Sequence, residues 1–141
     1  MEMEEMPMPQ PAPVFHQMVW IDHRSATTFE VTHHDLTELV TIHAPDQGRG
    51  QIHHKAGTMG PGHTGASPEF LQRVTAALAG ARRILIVGPA DAKFALKHYI
   101  SVHAPSLDEH IIGVEPMDKC GLGELQAFAT LFFRQADRML P

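Results

Sequence analysis

The sequence holds one cysteine, Cys120, so no disulfide can close within the chain. That usage fits a reducing compartment. Long hydrophobic runs are missing as well: nothing approaches the roughly 18 apolar residues of a membrane span. Nor is there a basic excess. Eleven Lys and Arg stand against 16 Asp and Glu, for a formal net charge of −5 with histidine neutral. That is not the footprint of a strongly basic nucleic-acid binder. The opening MEMEEMPMPQPAP has neither the basic start nor the apolar stretch of a secretory signal. Residues 1–13 therefore read as a disordered acidic, proline-rich tail. The expected location is the cytoplasm, without membrane contact.

What is present suits one ordinary domain. The chain has 141 residues with an ordinary apolar share, enough to bury a core without disulfides or metal. Residues 14–141 are expected to form that single domain. Eleven histidines would make the protein more cationic below about pH 6.5.

Three β-prone runs come first: 18–22 (MVWID), 27–32 (TTFEVT) and 37–43 (TELVTIH). Their short connections favour an antiparallel meander. Residues 44–66 then have no hydrophobic period and are dense in Gly, His and Pro, which reads as a long loop. Ser67-Pro68-Glu69 is a helix start: a capping hydroxyl, a proline suited to the first helical position and an acid at the positive dipole end. Phe70, Leu71, Val74 and Leu78 share one face, and Gly80 stops the helix. The run RILIV (83–87) reads as a strand covered on both faces, ended by Gly88-Pro89. A helix over 91–103 carries Ala92, Leu96, Tyr99 and His103 on one stripe and closes near Pro105. A strand over 110–115 and a helix over 121–140, with Leu125, Phe128, Phe132 and Met139 at helical spacing, complete the chain. The order β-β-β-α-β-α-β-α predicts an α/β, ribonuclease-H-like fold: a mixed five-stranded sheet, its last two strands parallel, with helices on both faces.

Residues 84–100 (ILIVGPADAKFALKHYI) carry a family resemblance. An apolar strand, Gly88-Pro89, then Lys93 followed by the aromatic Phe94 resemble the central domain of the eRF1/Pelota translation factors. Residues 19–31 resemble that domain's opening hairpin. Residues 111–125 resemble its last strand, Gly-containing turn and Glu-Leu helix start. The chain is also similar to small stand-alone bacterial proteins grouped by this fold under the name "translational machinery". The resemblance implies the fold and, as function, a translation-associated factor that binds the ribosome or structured RNA without a complete catalytic site. The flanking domains of the full factors have no counterpart here, so codon reading and GTPase binding are not implied. Release factors carry a Gly-Gly-Gln loop. The matching loop reads Gly48-Arg49-Gly50-Gln51, and Arg49 restricts the backbone that a glycine pair leaves free.

Several candidate sites follow, each with a bland alternative. Arg49, His53, His54 and Lys55 would contact RNA phosphates or bases, or simply belong to a solvated loop. Lys93 would add charge to an anion at the helix start after Gly88-Pro89, or that segment is a plain βα turn with Asp91 as a local cap. Gln51 is the candidate of a peptidyl-tRNA hydrolase. Asp22, with Glu115 and Asp118, is that of a metal-dependent nuclease, or else it bonds its own turn or Arg24. His33 and His34, with His53 and His54, would serve a histidine-rich metal-binding stress protein, but adjacent histidines on a strand point to opposite faces. No cofactor is expected. Leu131, Phe132 and Phe133 read as core, with a homodimer contact as the alternative.

Overall fold

The computed structural model describes residues 16–32, 35–45 and 67–138. Strand β1 spans His16–Ile21, β2 Ser25–Val31 and β3 Leu36–His43. Helix α1 is Pro68–Ala77, β4 Arg83–Gly88, α2 Ala92–His103, α3 Pro105–Asp108, β5 Ile111–Pro116 and α4 Leu122–Arg138. The strands form one sheet in the order β3-β2-β1-β4-β5. The first three make the antiparallel meander, and β1, β4 and β5 run parallel. This is the expected ribonuclease-H-like arrangement.

The order follows from where apolar side chains can be hidden. In β4, Ile84, Leu85, Ile86 and Val87 are all fully buried, which only a central strand covered on both faces allows. On one face Val19, Ile21, Ile84 and Ile86 pack under α1 and α2 with Phe70, Val74, Leu96 and Ile100. On the other, Met18, Phe29, Leu85 and Val87 pack under α4 with Leu125, Ala129 and Phe133. Each of these Val, Leu, Ile, Met and Phe side chains taken from water contributes about 1.5–3 kcal/mol.

Helix α1 starts as its sequence predicts. Ser67 Oγ accepts the Phe70 N–H at 3.1 Å, Pro68 occupies the first turn, and Gly80 beyond the end takes φ +91°. Both edge strands slip register once. Leu39 falls between the partners of Thr28 and Phe29, and Ile112 between those of Ile84 and Leu85. Such bulges twist an exposed edge away from another chain's strand.

Four local details differ from the sequence expectation. The first strand stops at Ile21, so Asp22 belongs to the turn. Pro105 opens the short helix α3, as a proline at a first helical position can. In α2 the buried residues are Ala92, Lys93, Leu96 and Ile100; the rings of Tyr99 and His103 stack on each other at the flank, 4.2 Å apart. In α4 the line of closest approach is Leu125, Ala129 and Phe133. The small Ala129 lets the helix sit close, and Phe128 and Phe132 are pushed to its margin. Phe132 lies over Gly113, where a Cβ would stand 2.6 Å from its ring. Met139 lies outside the described residues.

Candidate functional site at the carboxyl edge of the sheet

The parallel strands β1, β4 and β5 end on one edge, and the chain's turns converge there. Asp22 starts the β1–β2 turn. Its Oδ1 accepts the backbone N–H groups of Arg24 at 2.8 Å and Ser25 at 2.9 Å, a carboxylate closing its own turn. The next residue, His23, places Nε2 3.0 Å from Asp91 Oδ1. Asp91 stands at the N-cap of α2 but makes no side-chain cap bond; its carboxylate is drawn to His23 instead of to the helix amides.

Between β4 and α2 the backbone turns sharply. A Cβ on Gly88 would collide with the carbonyl oxygen of Ile21, so only glycine lets β1 and β4 approach this closely. Ala90 follows at φ +49°, an unusual value for a residue with a side chain. Lys93 Nζ donates to the Ala90 carbonyl oxygen and lies 4.7 Å from the centroid of the Phe94 ring. Lys93 is 3% exposed, so its charge sits beneath Phe94 and not out in solvent.

The same edge brackets residues 46–66. Ala44 donates its N–H to the Arg24 carbonyl at 2.8 Å, and Arg73 of α1 reaches the His43 carbonyl. Helix α1, whose Arg73 makes that contact, is the first element after residues 46–66. Lys119 follows β5 here, and Met117 donates its N–H to the Gly88 carbonyl at 3.0 Å. The edge therefore carries His23, Arg24 and Lys119 on its surface and Lys93 buried beneath Phe94, together with the carboxylates of Asp22, Asp91, Glu115 and Asp118. A groove of about 410 Å³, lined by Thr75, Gly80, Arg82, Leu107 and His110 among others, lies at the opposite end.

The chain shares its fold with Pelota and Dom34. Archaeoglobus fulgidus Pelota matches 87% of this chain at TM-score 0.56 and 15% identity, using 32% of its own length. Thermoplasma acidophilum Pelota matches 82% at TM-score 0.59 and 18% identity, using 31% of its length. Dom34 of S. cerevisiae, described as a translation termination-like factor involved in RNA quality control pathways and interacting with Hbs1, matches 84% at TM-score 0.52 and 12% identity, using 35%. The chain thus spans about a third of the length of these structures. No protein-family model and no curated protein sequence matches it.

Of the sequence candidates, Lys93, Asp22, Glu115 and Asp118 come to this one edge. Arg49, Gln51, His53, His54, Lys55, His33 and His34 lie outside the described residues. Among the described residues no group of three or more His, Cys, Asp or Glu side chains could hold a metal ion, so Asp22, Glu115 and Asp118 do not assemble into a set. Motif spacing singles out neither the His23–Asp91 pair nor the exposed ring of Phe94. The signal that could have found Phe94 is compositional: α2 mixes basic and aromatic residues and has no acid.

Proposed function

We propose that the chain is a translation-associated binding module, without a complete catalytic site of its own, that docks on the ribosome or another structured RNA through the carboxyl edge of its sheet. The observation that carries this reading is the fold it shares, over most of its length, with Pelota and Dom34. The placement of His23, Arg24 and Lys119 where residues 46–66 leave and return supports it. Arg49, His53, His54 and Lys55 supply further contacts to phosphates and bases. The work of such a module is positioning. Each phosphate neutralised by a cation releases a condensed counterion, so binding weakens steeply with salt. The proposed compartment is the cytoplasm.

Cosedimentation with ribosomes tests the proposal. The full chain should pellet with ribosomal particles at low salt and stay in the supernatant at high salt. A chain that never comigrates with the particles at any salt contradicts it.

A further inference from the structure

We infer that the outer face of α2 is a stacking surface for unpaired RNA bases. The inference rests on the RNA-binding reading above and names the part of the RNA that this surface takes. In a chain of formal net charge −5, α2 carries Lys93, Lys97, His98 and His103 and no acidic residue. Phe94, in its first turn, is 55% exposed. His98 lies one turn further along the same face, also exposed.

The neighbouring carboxylates are already paired. Asp91 faces His23 at 3.0 Å, and Asp108 of α3 holds Lys97 at 2.9 Å. An approaching phosphate therefore meets no unpaired carboxylate from these two positions. Lys93 Nζ stands 4.7 Å from the Phe94 centroid, and more than half of the side chain remains open to solvent. At the flank, His103 stacks against Tyr99 at an interplanar angle of 31°.

An exposed aromatic ring beside basic side chains is how proteins hold single-stranded nucleic acid: the ring stacks on a base and the basic groups meet the backbone. Here the exposed His98 and His103 and the half-buried Lys97 would face that backbone, while Lys93, 3% exposed, stays beneath the ring. A paired A-form helix keeps its base faces stacked inside and cannot use such a ring. The expected ligand is therefore a loop, bulge or single-stranded end.

The test measures fluorescence anisotropy of the full chain with two probes, a short unstructured RNA and a blunt RNA duplex of the same length. Phe94→Ala should weaken binding to the unstructured RNA about tenfold and leave the duplex unchanged, as expected for the loss of one stacked base. Phe94→Trp should restore it. Leu131→Ala, which removes an exposed apolar side chain from α4, should change neither. Thermal melting establishes that each variant is folded.

Unchanged affinity in Phe94→Ala overturns the inference, and so does equal weakening toward both probes. Loss of ribosome cosedimentation with full affinity for the unstructured RNA also overturns it, and assigns the face to a ribosomal protein. A wild-type chain that cosediments with ribosomes but binds neither probe overturns the inference and leaves the docking reading standing. A chain that does neither removes both.

Discussion

His23 and Asp91 face each other at 3.0 Å, joining the turn between two antiparallel strands to the N-cap of the helix that follows the central strand. Both side chains are largely open to water, and exposed pairs of this kind are worth only about 0–1 kcal/mol. His23→Ala should therefore lower the melting temperature by a few degrees at most. Its larger effect is geometric. Asp91 becomes free to cap the α2 amides, and its uncompensated charge should weaken RNA binding by a few-fold in the anisotropy assay. A variant that unfolds, or one that binds RNA more tightly, goes against this assignment.

Two glycines should respond differently to the same change. Gly88→Ala sets a Cβ against the Ile21 carbonyl oxygen, so the carboxyl ends of the two central strands, β1 and β4, must part. A loss of about 3 kcal/mol or more is expected, in the range of severe backbone and packing defects. Gly80 has open space around it but holds φ +91°, so Gly80→Ala should lose only about 1–2 kcal/mol, the strain of a left-handed residue. Urea unfolding of the two variants side by side measures the difference. Equal losses would mean that the contact at Gly88 is looser than the geometry says.

On α4, burial separates residues that look alike in sequence. Phe133 is buried against His16, whose ring meets it edge-on at 4.8 Å. Phe133→Ala should cost about 3–5 kcal/mol, as for other buried aromatics. Leu131, on the outer side and 52% exposed, should stay within about 0.5 kcal/mol of the parent when changed to Ala. Denaturant midpoints decide it, and a large loss in Leu131→Ala would show that something covers that face.

Burial raises the Cys120 thiol above its ordinary pKa, and the carboxylates of Glu124 and Asp118 push it the same way. The thiol is therefore neutral at physiological pH and a poor nucleophile, since only the thiolate reacts. A group whose pKa is higher folded than unfolded gives up stability as pH rises through that titration. The folded chain should lose stability in the alkaline range by this route and not in acid. Alkylation of the folded chain near pH 8 should be slower than of an unfolded peptide with the same residues, and Glu124→Gln should speed it. Faster alkylation of the folded chain would contradict the assignment.

The fold was legible where the signal is local or continuous. The run at Ile84–Val87 has no polar break because both its faces are covered. Ser67 and Pro68 announce α1 because a cap is made within one turn. The helix faces were less legible. Ile100 and Ala129 take places on the contact lines where the spacing pointed to Tyr99 and Phe128. The site was least legible. His23 meets Asp91 only once β1 and β4 lie side by side, and no spacing rule joins residues so far apart. That Lys93 turns inward under Phe94 depends on the Ala90 carbonyl that the sharp β4–α2 turn presents.

The most direct measurement is ultraviolet crosslinking of the full chain to ribosomes, followed by mass spectrometry of the peptide–RNA adducts. Adducts are expected in the segment holding Arg49 to Lys55 and on α2 around Phe94 and His98. None is expected at the opposite end, around Arg82 and His110. Adducts confined to Arg82 and His110, or no adducts from ribosomes that retain the chain, would contradict docking through the carboxyl edge.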